Sequence, residues 1–150
     1  MSLESQIKQS VFKSEQAKLI VNLIYTYNQL KGEIACRLKA EGLTMQQYNV
    51  LRIVRGAGQQ GTTTSEIRER LLDKMSDASR MVDRLVSMGH LDKVRDQEDR
   101  RLVYVYLTES GSQLVERLVQ DDTVESVVAN VSNEKAQQLN ELLDLLRDSI

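Results

Sequence analysis

The chain is 150 residues long and 41% hydrophobic, with a net charge of −2, which suits one domain with its own core, since folding at this size buries roughly 68–70% of the unfolded surface. Cys36 is the only cysteine and His90 the only histidine, which excludes an intrachain disulfide and a thiolate or imidazole metal cluster, so neither metal nor cofactor is expected. Net charge is +4 over residues 1–65, zero over 66–101 and −6 over 102–150, which argues against an indiscriminate nucleic-acid coat and turns the acidic end away from phosphate. No apolar run approaches the roughly 20 residues of a membrane span, and the polar first residues lack a signal-peptide pattern, so no membrane partner and a cytoplasmic location are expected.

From about Ser5 to Glu41, Ile20, Leu23, Ile24, Tyr27, Leu30, Ile34 and Leu38 fall at three-and-four spacing, predicting one long helix with a single buried stripe. Gly42 ends it, and Thr44 with Gln47 has the capping-box spacing that opens a second helix. Leu43 and Tyr48 stand where a hydrophobic staple packs, and Val50, Leu51 and Val54 carry the inner face until Gly56 and Gly58 break it. Thr63 with Glu66 repeats the capping signal for a short helix that turns Ile67 and Leu71 inward and is predicted to stop near Asp73.

Ser76 is the predicted N-cap of a fourth helix, running to Met88 and ended by Gly89. Its apolar stripe is Ala78, Met81, Val82 and Leu85, and its other face is Ser76, Ser79, Arg80, Asp83, Arg84 and Ser87. Alternation then predicts strands over Leu91–Arg95 and Leu102–Leu107, joined by a polar tip from Asp96 to Arg101. Thr108 is predicted to cap a fifth helix with apolar positions from Leu114 to Val131. Ser132 is predicted to cap a sixth, carrying Leu139, Leu142, Leu143 and Leu146.

Two short helices joined by a tight turn, the second polar outside, let one helix enter the roughly 12 Å major groove while the other braces it. A neighbouring hairpin with arginines near its tip reaches phosphate or the minor groove. The strings Ser79-Arg80-Met81-Val82-Asp83-Arg84-Leu85, Gly89-His90-Leu91, Asp96-Gln97-Glu98-Asp99-Arg100-Arg101 and Leu107-Thr108-Glu109-Ser110-Gly111 resemble the MarR family of regulators, over essentially the whole chain. The resemblance implies a mainly α fold with a small β-wing: a winged helix-turn-helix part over residues 44–107 and helical dimerisation parts over 5–41 and 109–150. It implies a homodimer on double-stranded DNA, a near-palindromic operator, and a repressor that responds to a small aromatic or anionic effector.

Carried onto this sequence, the resemblance places Ser76, Asp77, Ser79 and Arg80 at base edges and Arg84 at the backbone. Arg95, Arg100 and Arg101 become wing residues, Arg100 the first candidate for a minor-groove or phosphate contact, and Asp83 is expected to pair with Arg101. Tyr25, Tyr27, Tyr48 and Arg52 lie on helices that bound the family's effector pocket. Two positions depart from the family pattern: Gln97 replaces a usual proline, and His90 a usual apolar residue.

Each of these residues also has an ordinary reading. Arg80 alone would be a solvated arginine, Arg100 and Arg101 a charged turn, and the tyrosines core material. Cys36 lies late in its helix with only Arg37 as a cationic neighbour, which speaks against redox sensing, and His90 after a helix-ending glycine reads as a packed or capping residue. The absence of a nucleophile–base motif and of a glycine-rich phosphate loop speaks against an enzyme. The zero net charge of residues 66–101 leaves one alternative, a winged-helix module that binds a protein partner and no DNA.

Overall fold

Side-chain caps set the helix boundaries of this chain, whose computed structural model describes residues 2–99 and 101–150. The helices are α1 (Leu3–Ile7), α2 (Glu15–Leu38), α3 (Met45–Ala57), α4 (Thr64–Arg70), α5 (Ala78–Ser87), α6 (Glu109–Gln120) and α7 (Asn133–Arg147). Ser14, Thr44, Thr63, Asp77, Thr108 and Ser132 each accept a hydrogen bond from the backbone N–H three residues on, satisfying a donor that has no partner inside the helix. At Thr44 and Thr63 the backbone N–H in turn donates to the Gln47 and Glu66 side chains, which completes the capping box.

Some boundaries differ from the sequence-based expectation, each for a local reason. The expected helix over 5–41 is divided: α1 ends at Lys8 in the left-handed region, φ 55°, and Ser14 caps a fresh start. No apolar stripe spans the gap, and Val11 within it is exposed. Ser76 is not the cap of α5, because the Asp77 carboxylate takes the Arg80 N–H at 3.1 Å while the Ser76 hydroxyl donates to Asp73 Oδ2 at 2.8 Å. Helix α4 stops at Arg70 rather than near Asp73; Leu71 turns extended, and the Leu72 N–H leaves the helix for Asn49 Oδ1 at 3.1 Å. Helix α6 ends at Gln120, where Asp122 adopts φ 47°, and a 3-10 turn over Glu125–Val128 precedes α7.

The strands β2 (Leu91–Arg95) and β3 (Val103–Leu107) form the expected hairpin, with Leu91 opposite Leu107 and Arg95 opposite Val103. A short strand, β1 (Thr62–Thr63), unforeseen from the sequence, pairs antiparallel with the other edge of β3, giving the order β1-β3-β2. Two residues are too few to show alternation, which is why pattern reading passes over them. This third strand ties the start of α4 to the hairpin, and a lone hairpin would be marginal.

One apolar cluster joins α3, α4, α5, α6 and the sheet, with Val50, Leu51, Ile67, Val82, Leu85, Leu91, Val105 and Val115 each fully buried. Of helix α2 only Leu38 is buried in it, with Ile34 packed against it, and no residue of α7 is buried. Ile20, Ile24 and Tyr27 on α2 and Leu139, Leu142 and Leu145 on α7 are all more than half exposed. No helix among the described residues is long and apolar enough to cross a membrane.

Candidate nucleic-acid interface

Helix α5 is held by its apolar side. Ala78, Val82 and Leu85 are buried in the core, which leaves Ser79, Arg80, Asp83, Arg84 and Ser87 on the exposed side. Ser76, Asp77, Arg80 and Arg84 line an open depression of about 350 Å³ that they share with Thr44, Gln46 and Gln47 at the start of α3. One Asp77 oxygen is engaged by the cap, so this residue shapes the helix start as well as facing the depression. Helix α4 packs against α5 with Ile67 in the shared core, and its start is tied to β1 by Glu66, whose Oε2 accepts the Thr63 N–H at 2.7 Å and the Thr62 hydroxyl at 2.9 Å. The Thr63 backbone bond, followed by the two threonine hydroxyls, holds the Glu66 carboxyl below the usual carboxylate range.

The turn between α4 and α5 is organised around Asp73. Its carboxylate accepts the Ser76 hydroxyl at 2.8 Å and the Met75 N–H at 3.0 Å, and its carbonyl accepts the Ser76 N–H at 3.2 Å. The Ser76 hydroxyl, then the Met75 N–H, keep the Asp73 carboxyl below its ordinary value.

In the wing, Arg95 closes β2 and Arg101 follows the tip; both are exposed, and Arg100 lies outside the described residues. The tip needs no proline at Gln97: Asp96 Oδ1 accepts the N–H groups of Glu98 and Asp99, each at 2.8 Å, and Asp99 Oδ1 accepts that of Arg101 at 2.9 Å. The expected pair between Asp83 and Arg101 is replaced by an ion pair between Asp83 and Lys93. Lys93 lies mid-strand in β2, which packs against α5, whereas Arg101 lies past the end of that strand. The helix-to-wing tie therefore exists with another cation. Sequence reading missed Lys93 because alternation gives its face and not its distance from α5.

Among the described residues none of Arg80, Arg84, Arg95 and Arg101 forms an ion pair. Away from this face, Arg55 pairs with Glu116 at 2.7 Å, Arg117 with Glu41 at 2.8 Å and Arg52 with Glu125 at 3.5 Å. The face formed by α5 and the wing thus keeps its guanidinium groups available for phosphate or base edges.

Of the four residues expected around an effector, Tyr48 and Arg52 meet, while Tyr25 and Tyr27 make other contacts. Tyr48 is buried, with the Arg52 guanidinium 5.8 Å from its ring centroid, and among the described residues its hydroxyl has no hydrogen-bond partner. Burial, reinforced by the Glu125 carboxylate, pushes the Tyr48 phenol up. Tyr25 instead donates to Gln6 Oε1 at 3.1 Å, and Tyr27 is half exposed with Lys31 over its ring. His90 is a joint: its N–H donates to the Leu85 carbonyl at 3.0 Å and its carbonyl accepts the Thr108 N–H at 3.1 Å. Cys36 is exposed.

A family model described as Transcriptional regulator SarA/Rot matches residues 29–118. The multiple antibiotic resistance protein MarR of Salmonella typhimurium is 30% identical over 125 residues, covering 81% of this chain and 85% of that protein. Among solved structures, apo wild-type MarR from E. coli superposes with a TM-score of 0.64 at 28% identity, over 83% of this chain and 94% of that one. The S. aureus MepR–DNA complex matches in fold, with a TM-score of 0.71 at 22% identity over 94% of this chain and 100% of that one.

Proposed function

This chain belongs to the MarR family of transcriptional regulators, and we propose that it acts as a homodimer that binds double-stranded DNA sequence-specifically and represses from a near-palindromic operator. The observation that carries the proposal is the exposed side of α5, where, among the described residues, Arg80 and Arg84 stand without ion-pair partners on a helix locked from behind by Val82 and Leu85. In this reading Ser76, Asp77, Ser79 and Arg80 meet base edges, Arg84 meets the backbone, and Arg95, Arg100 and Arg101 serve the wing. That MepR, alike in fold, forms a complex with DNA supports DNA as the partner.

Dimerisation follows from the uncovered stripes of α2 and α7. Each large aliphatic side chain moved out of water contributes roughly 1.5–3 kcal/mol, so Ile20, Ile24, Leu139 and Leu142 together favour a covered interface. Helix α6 gives Leu114, Val115 and Leu118 to the winged core, which leaves α2 and α7 as the arms. Symmetry would place the two α5 helices about one DNA turn apart, roughly 34–36 Å. The buried Tyr48 hydroxyl, on a ring with the Arg52 guanidinium 5.8 Å from its centroid, suits a small aromatic or anionic effector, which would offer the hydroxyl an acceptor and meet the cation.

Selection of bound sequences from a random duplex pool tests the reading. A palindrome with half-sites one turn apart is the expected outcome. Binding with no steep loss of affinity as salt rises, and no sequence enrichment, would instead favour the protein-partner module.

A further inference from the structure

The turn that feeds α5 presents two large apolar side chains to water: Leu72 is 83% and Met75 94% exposed. Neither contributes to the core, and Met75 lies two residues before the Asp77 cap of α5. An exposed methionine on a flexible loop would carry little meaning, but this turn is fixed. Asp73 takes the Met75 N–H and both donors of Ser76, Asn49 takes the Leu72 N–H, and the Lys74 ammonium folds back to the Glu69 carbonyl. The backbone N–H groups of Leu72, Met75 and Ser76 are thus held by Asn49 and Asp73, and the thioether stays outside.

We propose that Met75 is a specificity-determining residue that packs against a thymine C5-methyl group in the major groove, giving each half-site a thymine preference beside the bases met by Arg80. This inference rests on the DNA-binding reading above. Among the groups that base edges offer in the major groove, the thymine methyl is the apolar one, and apolar side chains contact it. Methionine is unbranched and polarizable, able to fill an irregular apolar gap. Arg80 on α5 and Ser76 just before its cap supply hydrogen bonds and charge, whereas Met75 offers an apolar surface. Because the turn is already ordered, the contact costs side-chain freedom only, and no loop folding accompanies binding.

The test uses an operator selected by the wild-type protein, with each thymine in turn replaced by deoxyuridine symmetrically in both half-sites. Binding is read by fluorescence anisotropy at one salt concentration. For wild type, one symmetric replacement is expected to weaken binding roughly fourfold per half-site, the value of one methyl-sized apolar group. Met75→Ala should bind the thymine duplex correspondingly less tightly and be indifferent to that replacement, while Leu72→Ala retains the wild-type response. The exposure of Met75 makes its truncation harmless to the fold, which an unchanged Tm checks. Retained operator binding with no methyl-sensitive position, or with a sensitivity that survives in Met75→Ala or vanishes in Leu72→Ala, overturns the assignment to Met75 alone. Absence of any salt-dependent duplex binding by wild type overturns the DNA-binding reading along with it.

Discussion

Gly111 is the position at which packing and helix propensity make opposite predictions. It stands in the first turn of α6 on an ordinary helical backbone, and alanine at a helical position is favoured over glycine by roughly 0.8–1 kcal/mol. A Cβ at Gly111, however, would lie 2.0 Å from the His90 carbonyl oxygen and 2.9 Å from the carbonyl carbon, against an optimal separation of about 3.5–4 Å. That oxygen accepts the Thr108 N–H at 3.1 Å, while the Thr108 hydroxyl donates to the Gly89 carbonyl at 2.7 Å and accepts the Gly111 N–H at 3.0 Å. Relief of the clash must therefore separate α6 from the end of α5 and disturb the cap together. Overpacking costs roughly 1–3 kcal/mol and a lost cap about 1 kcal/mol, so after the propensity gain Gly111→Ala should destabilise by about 1–3 kcal/mol. For a chain of this size that lowers Tm by roughly 3–10 °C. Urea and thermal unfolding measure it. A variant as stable as wild type would mean that α6 does not press on His90, and the account of this joint would be wrong.

Arg80→Ala should cost about 1–3 kcal/mol of operator binding and relax the preference at one base pair, read by competition among duplexes; an unchanged ranking of operators removes Arg80 as a base reader. Arg100→Ala should weaken all sequences alike and lower the slope of log affinity against log salt by about 1. Glu66 has a lowered folded pKa owing to its Thr63 and Thr62 hydrogen bonds, so its contribution is complete above the unfolded value of about 4.3 and is lost as pH falls through the lower folded value. Glu66→Gln should therefore lose less Tm than wild type between about pH 5 and 3, and parallel curves would count against the capping box as the source. Leu142→Glu, at a side chain 61% exposed in the single chain, should shift sedimentation from dimer to monomer and weaken operator binding more than tenfold, leaving the winged core folded by hydrogen exchange.

The fold was legible wherever a short-range rule decided it. Thr44 with Gln47, Thr63 with Glu66, Thr108 and Ser132 act as caps as their spacing predicts, and Gly42 and Gly89 take the positive φ that a helix end requires. Alternation from Leu91 to Leu107 gave the hairpin and its inward Val105. What was not legible depended on competition or on distance. Ser76 and Asp77 are both good caps, and the choice between them turned on Asp73 binding the serine hydroxyl. Lys93 in place of Arg101 as the partner of Asp83 turned on which strand residue lies beside α5. The break between α1 and α2 turned on a stripe too short to carry a continuous helix. Of the residues expected at an effector pocket, Tyr48 and Arg52 are one helical turn apart and meet, whereas Tyr25 and Tyr27 depend on how α2 lies against its surroundings.

The apolar cluster closes between Leu38 and Leu118 and takes no residue from α7. Helix α7 would therefore help set the span between two copies without forming part of either core, whereas α2 is tied to the core through Leu38. In the proposed dimer, a signal that shifts α7 would act as a change of gauge: the heads would stay intact while their separation left register with the DNA turn. Moving such a population from 1:99 to 99:1 would take about 5.5 kcal/mol, which contacts made by α7 could supply without a change in the core.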